Sequence, residues 1–181
     1  MVIGFTFNGR HISAIPHIAM RSVNRNVKPA LRKNTIMIPG RDGYLDFGGD
    51  TYDSRQISVQ IGFACQSFLE LRSAARQVAG WLAGSGLLIF DDEPDKAYRA
   101  QVVTQIDLEQ LRYWGYAEIE FECQPFAEAL DFDQLVVEEA DSPAEIPFTN
   151  RGTQSCSCLI IIRNIGSGDI KNITLTRKSE T

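Results

Sequence analysis

The first 41 residues contain no aspartate or glutamate, yet they carry Arg10, Arg21, Arg25, Lys28, Arg32, Lys33 and Arg41. Between residues 107 and 147 the imbalance reverses: Asp107, Glu109, Glu118, Glu120, Glu122, Glu128, Asp131, Asp133, Glu138, Glu139, Asp141 and Glu145 stand against one base, Arg112. Three uses fit such a division. The basic part can hold nucleic acid, one subunit's basic segment can meet another's acidic face, or the two halves neutralise each other within one fold.

Other shortages exclude whole classes of chemistry. Histidine is limited to His11 and His17, without His-x-x-x-His spacing and without a cysteine or acid beside them in sequence, so both are expected to be surface or core residues rather than ligands. None of the four cysteines, Cys65, Cys123, Cys156 and Cys158, forms a CxxC pair, and the last two are too close along an extended strand to bridge easily. Free, buried thiols are expected and a structural zinc is not. No run approaches the roughly 18 apolar residues of a spanning helix, and MVIGFTFNGR lacks the charge, apolar stretch and cleavage site of a secretory signal. A soluble chain made in the cytoplasm, with no membrane insertion, is the expectation. No glycine-rich loop ends in Gly-Lys-Ser/Thr, and Gly84-Ser85-Gly86 follows a helix, the reverse of the turn that exposes a nucleophilic serine. No catalytic residue, metal ligand or cofactor is assigned, and the chain is not expected to be an enzyme.

What is present is globular: 181 residues, 44% hydrophobic and 9% aromatic, suit one domain with part of a second. Ile3, Phe5 and Phe7 alternate before Asn8-Gly9, a hairpin-turn pair. Residues 18 to 34 show no clean period and read as an extended basic arm leading to a short strand over Thr35 to Ile38, with Pro39 to Gly43 as a turn. Arg55 to Cys65 alternates cleanly, with Ile57, Val59, Ile61, Phe63 and Cys65 on one face. SFLELRSAARQVAGWLAGSG predicts the one helix: Ser67 caps it, Glu70 reaches back, Leu71, Ala74, Ala75, Val78 and Leu82 form the stripe, and Gly84 ends it. Strands follow at Leu87 to Phe90, Tyr98 to Ile106 and Tyr116 to Cys123, the last with Glu118, Glu120 and Glu122 as an acidic ladder. From Glu128 to Pro147 the composition suits a linker, and Cys158 to Arg163 and Ile170 to Thr176 read as two more strands around Gly166-Ser167-Gly168. Roughly thirty residues cannot bury a core of their own. The domains expected are 1–130, a linker 131–147 and a partial β domain 148–181.

The acidic stretch in LLIFDDEPDKAYRA invites a metal reading. A PD…(D/E)xK nuclease centre requires an acid-x-lysine triplet after Pro94-Asp95, and none follows; a calcium loop requires a glycine where this stretch has proline. Asp91, Asp92, Pro94 and Asp95 are therefore assigned to a structural turn in which short carboxylates accept backbone hydrogen bonds between two strands.

The order of motifs resembles a known family. FTFNG, IPGRDG with GYLDFG, RQISVQIGF, VAGWL, LLIFDDEPDKAYRAQV and IEFECQPFAEA together are similar to the distal tail proteins of long-tailed, siphovirus-type bacteriophages, over about Ile3 to Ala129. The region from Phe148 to Thr153 resembles the start of that family's second, galectin-like β-sandwich, which in the family is much longer, so the second domain is expected to be truncated here.

The resemblance implies a mainly β protein: a tail-tube-like β-sandwich or split barrel with one flanking helix, then the beginning of the second sandwich. It implies a structural role without catalysis, in the virion tail of a phage or prophage, assembled in the bacterial cytoplasm and serving host adsorption at the baseplate. A hexameric ring would link the tail tube protein to the tape-measure protein, the tail-tip protein and receptor-binding components, with DNA only in passage. Two site expectations follow. Arg21, Arg25, Lys28, Arg32 and Lys33 lie on the acidic strand of a neighbouring subunit, a head-to-tail contact that closes a ring. Glu118, Glu120 and Glu122 line the channel, where like charge lets DNA slide. The alternative is a nucleic-acid-binding module using the basic N-terminal segment; a carbohydrate-binding second domain would need sugar-facing aromatics, and after Phe148 there are none.

Overall fold

The computed structural model describes residues 4–48, 51–103, 105–111, 114–131, 134–137, 144–169, 171–176 and 178. Ile3, Arg112, Asp133, Glu138, Glu139, Asp141 and Ile170 lie outside the described residues, as do residues 132–133 and 138–143 of the expected linker. The chain divides into two units, Met1–Asp133 and Gln134–Thr181.

The first unit is a curved antiparallel sheet with one helix. Its strands are β1 (Phe5–Phe7), β2 (Arg10–His11), β3 (Ile18–Arg25), β4 (Leu31–Arg32), β5 (Thr35–Ile36), β6 (Leu45–Asp46), β7 (Thr51–Tyr52), β8 (Arg55–Ala64), β9 (Ser85–Phe90), β10 (Lys96–Val102), β11 (Leu108–Leu111), β12 (Trp114–Cys123) and β13 (Glu128–Ala129). The helix α1 (Phe68–Trp81) lies between β8 and β9. The main sheet runs β2-β1-β9-β10-β12-β8-β3, with β11 on β12 and β13 on β10. Every one of these pairs is antiparallel, as hairpin-linked strands favour.

Local chemistry explains the elements. Asn8 and Gly9 sit at φ 53° and 77°, the left-handed geometry that a two-residue hairpin between β1 and β2 requires. Ser67 caps α1 by accepting from the Glu70 backbone N–H at 3.2 Å, while the Glu70 carboxylate accepts from Gln66 N–H at 2.9 Å. This is the expected capping box with its return bond one residue further out. The helix stripe is Leu71, Ala74, Val78, Trp81 and Leu82, all buried, and Gly84 follows at φ 80°.

Alternation in β8 and β12 places Ile57, Val59, Ile61 and Phe63 beside Ala117, Ile119, Phe121 and Cys123 in one core. At its centre Phe5 stacks on Trp81 at 5.3 Å and meets Phe121 edge-on at 5.7 Å. The Trp81 indole N–H, which could not be buried unpaired without cost, donates to the Phe7 carbonyl at 2.9 Å. This tryptophan is absent from the sequence-derived stripe, yet it joins helix to first strand.

Residues 18 to 25 form a sheet strand rather than part of an arm. β3 pairs with β8 from Ile18↔Phe63 to Arg25↔Ile57, but its register shifts between Met20 and Ser22. The bulge explains the missing period: one extra residue moves the inward positions from Ile18 and Met20 to Val23, breaking the alternation that marks a strand. Residues beyond it do project. β4 pairs with β7 and β5 with β6, building one long hairpin from Leu31 to Tyr52 whose tip holds Gly40 and Gly43 at φ 83° and 80°. Tyr52 meets Phe126 edge-on at 5.0 Å and fastens its base.

In the second unit the expected strand over Cys158 to Arg163 is not formed, and no ladder includes 171–176 among the described residues. A strand exists only through a partner, and Leu159, Ile160, Ile161 and Ile162 are all exposed. The cysteines divide accordingly. Cys65 and Cys123 are buried, as expected, whereas Cys156 and Cys158 are exposed. Burial pushes the Cys123 thiol up to about 12, against the opposing pull of Arg55. With Ellman's reagent at pH 8, Cys156 and Cys158 should react within minutes while Cys123 stays silent until denaturant is added; four rapidly titrating thiols in the native protein would refute this placement.

Candidate functional site

Two surfaces carry the residues singled out from the sequence. The first is the turn between β9 and β10. Asp91 accepts from the Gly4 N–H at 2.8 Å, and the Asp91 N–H donates back to the Gly4 carbonyl at 3.2 Å. His11 Nε2 lies 3.3 Å from the same carboxylate. The Ser13 backbone N–H and hydroxyl both lie against His11 Nδ1, at 3.2 and 2.7 Å. A backbone N–H can only donate, so Nδ1 is the acceptor and Nε2 carries the proton toward Asp91. A serine, a histidine and an aspartate thus meet in space, but as a cap on the short turn Ile12–Ala14 and a clasp to Asp91. Gly4 is required beside them: a Cβ there would stand 2.5 Å from His11 Nε2.

The rest of the turn does other work. Glu93 N–H donates to the Phe90 carbonyl and Lys96 N–H to the Glu93 carbonyl, both at 3.1 Å. Asp92 and Glu93 together hold Arg25, Glu93 at 2.9 Å, and the guanidinium lies 4.7 Å from the Phe90 ring centre. Arg25 ends β3, at the far edge of the sheet order from β9. Its contacts therefore tie the β3 edge of the sheet to the turn between β9 and β10. Asp95 is exposed and pairs with its neighbour Lys96, which holds its carboxyl below the usual range.

The expected interface set is consequently divided. Arg25 is engaged at this turn, Arg32 pairs with Asp53 at 2.7 Å, and Arg21 lies over the Tyr116 ring at 4.2 Å. Lys28 and Lys33 remain toward solvent, Lys33 6.0 Å from the Tyr44 ring centre.

The second surface is the outer face of β12. Its period of two aligns Trp114, Tyr116, Glu118, Glu120 and Glu122, while opposite them on β8 stand the small or polar Ala64, Gly62, Gln60, Ser58 and Gln56. Glu122 accepts from the Ser54 hydroxyl at 2.8 Å. Glu118 and Glu120 join Asp107 and Glu109 around a shallow concavity floored by Tyr116 and bordered by Gln60 and Gln105. The strand β11, which the sequence pattern did not reveal, brings Glu109 there. Among the described residues no side chain donates to Glu109, Glu118 or Glu120, and no group of three histidine, cysteine or acidic side chains is placed to hold a metal.

A family model for the phage tail protein RIFT-related domain matches residues 17–123. No curated protein matches the chain. Among solved structures, the crystal structure of the Dit (gp 19.1) protein of phage SPP1, called a paradigm of the hub adsorption apparatus in phages infecting Gram-positive bacteria, is similar with a TM-score of 0.61 at 16% identity. The match covers 71% of this chain and 53% of that one, so the chain spans about half the length of its structural relative. At this identity the likeness is one of fold: a mainly β architecture with a large antiparallel sheet and a single helix.

Asp91→Ala leaves the Gly4 N–H without its side-chain acceptor and frees His11, and should lower unfolding stability by about 1 kcal/mol; Asp95→Ala should leave the urea midpoint unmoved. Removing the Arg25 guanidinium with Arg25→Ala should cost about 1 kcal/mol, against no change for Lys28→Ala. Urea titrations followed by tryptophan fluorescence check all four, and equal midpoints for Arg25→Ala and the parent would remove Arg25 from the contacts that hold β3 to the β9–β10 turn.

Proposed function

Because this chain belongs to the phage tail protein RIFT-related family, we propose that it works as the distal tail protein of a siphovirus-type phage or prophage. Six copies form a ring that joins the tail tube to the tail-tip and receptor-binding apparatus, meets the tape-measure protein and leaves a channel for DNA. Assembly takes place in the host cytoplasm, and the role is mechanical rather than catalytic. The observation that carries this reading is the family match across β3 to β12, supported by a fold shared with a phage hub protein. A sheet whose concave side is filled by Phe5, Phe7 and Phe121 leaves its outer face for contacts between copies, where a ring needs two different patches on each chain.

Within this reading the carboxylates on the outer face of β12 have two uses. Glu118 and Glu120 receive a basic segment of the neighbouring copy, or Glu118, Glu120 and Glu122 face the channel and repel passing DNA. A module that binds nucleic acid through the basic segment has weaker support, because Arg25 and Arg32 are already engaged by Asp92, Glu93 and Asp53.

Light scattering and negative-stain microscopy of the purified chain test the proposal. Six chain masses and annular particles are expected, with little retention on DNA at low salt. A folded chain that stays monomeric at high concentration, or one that binds DNA tightly with a steep salt dependence, would reject it.

A further inference from the structure

Of the four thiols, two are sealed and two are presented. Cys65 and Cys123 are only 7% and 1% exposed inside the first unit, whereas Cys156 and Cys158 in the second unit are open to solvent. Residues 155–165 hold no helix, turn or bend, and along an extended backbone positions two apart put their side chains on one side. The Cα atoms of such a pair stand about 6.6 Å apart, close to the upper limit for a disulfide, so a bridge between Cys156 and Cys158 of the same chain is strained and easily reduced. Among the described residues no third histidine, cysteine or acidic side chain joins them, which leaves them short of the four ligands of a structural zinc. The second unit thus carries two accessible thiols that do not readily satisfy each other.

The number of thiols selects the partner. In a closed ring every copy has two neighbours, and a chain needs two reactive groups to be joined to both. A chain with one such group can only pair. Cys156 and Cys158 supply two, and a stretch as long as residues 134–155 can span up to about 70 Å, ample for thiols of adjacent copies to meet. The redox compartment sets the timing. A reducing cytoplasm keeps exposed thiols reduced while the copies assemble, and the oxidising medium outside a cell permits disulfides.

We propose that Cys156 of each copy forms a disulfide with Cys158 of the neighbouring copy, so that a ring assembled by non-covalent contacts becomes covalently closed once it leaves the reducing cytoplasm. This rests on the ring reading above and adds its lock. The reaction is thiol–disulfide exchange with a low-molecular-weight disulfide as oxidant. The Cys156 thiolate attacks one sulfur of that disulfide. A sulfur–sulfur bond to the protein forms, the small molecule's own bond breaks, and its other half leaves as a thiolate with the electron pair. The Cys158 thiolate of the neighbouring copy then attacks the Cys156 sulfur and expels the remaining half. Two cysteine thiols are oxidised, one small disulfide is reduced to two thiols, and the two protons released by the cysteines end on those thiols.

The test uses the full chain, with oxidised glutathione as the disulfide. Light scattering in dithiothreitol first establishes whether the chain forms the six-copy ring. The reductant is then removed, the oxidant added, remaining thiols blocked, and the denatured sample run on a non-reducing gel. A ladder from two to six chains is expected, and dithiothreitol should collapse it to single chains. Cys156→Ser and Cys158→Ser should each stop the ladder at two chains, with larger species reduced at least about tenfold, because one thiol joins a copy to one neighbour only. Diluting the intact ring about tenfold should leave the yield unchanged, since the linked thiols already share one assembly. An assembling chain that runs as a single species on the gel, whether its mass shows an internal bridge or glutathione caps, overturns the lock and leaves the ring reading standing. So does a full ladder from either single-thiol variant, or a yield that falls in step with dilution. A chain that is monomeric in dithiothreitol overturns both.

Discussion

A strand of three residues holds the first unit together. Phe5 and Phe7 place two rings at the centre of the core, where Trp81 comes from the helix, Phe90 from β9 and Phe121 from β12. Besides its ladders to β2 and β9, three bonds tie that strand to the helix and the acidic turn: the Trp81 indole N–H to the Phe7 carbonyl, the Gly4 N–H to the Asp91 carboxylate, and the Asp91 N–H to the Gly4 carbonyl. Burying two phenylalanines contributes on the order of 5 kcal/mol before the entropy of ordering. The polar bonds add less, but they decide where the rings go. They link the first strand both to the helix and to the turn between β9 and β10.

That dependence gives the acidic turn its meaning. Its carboxylates look like chemistry when read as a string, because a run of acids is also what a metal centre needs. In space they point in different directions: Asp91 to the first strand, Asp92 and Glu93 to Arg25, Asp95 to Lys96. Each neutralises or caps something local. Part of the charge asymmetry along the chain is therefore settled inside one unit, since Arg25 comes from the acid-free first 41 residues. Among the described residues, what remains without an ion-pair partner in the two charged stretches includes Lys28 and Lys33 on one side and Glu109, Glu118 and Glu120 on the other.

Elements whose signal is local were readable. β8 and β12 alternate without interruption, Ser67 and Glu70 mark the helix start, and Asn8-Gly9 marks the first hairpin. The motif order from FTFNG to FECQPF carried the family, because it samples elements that pack on one another. Features set by partners were not readable. Trp81 looks like a residue beyond the helix stripe until Phe5 is placed beneath it, and β11 has too few residues for any pattern to stand out. The short strand over Thr35 to Ile36 and the glycine turn after it were visible, but the return strands β6 and β7 were not. Their residues lack alternation, and only pairing defines them. For the candidate site, the acidic ladder was evident from spacing, whereas the engagement of Arg25 depends on sheet curvature that no residue count reveals. The apolar residues near the second unit's glycines have strand-like composition, but composition alone supplies no neighbour to bond.

The bulge in β3 also bears on how related chains are compared. Arg21 is the supernumerary residue, left out of the ladder between Met20↔Ile61 and Ser22↔Gln60, and it is the one whose aliphatic stem crosses Gly62 to set its guanidinium over Tyr116. A relative with a regular strand here would lack one position, and its best superposition would carry a single-residue gap within a strand, where gaps are ordinarily penalised. Matching by sequence would then slide everything from Ser22 to Arg25 by one and trade inward for outward residues. In such a relative the cation over the tyrosine and the clamp at the β9 turn would vanish from view together, although only the first had been lost.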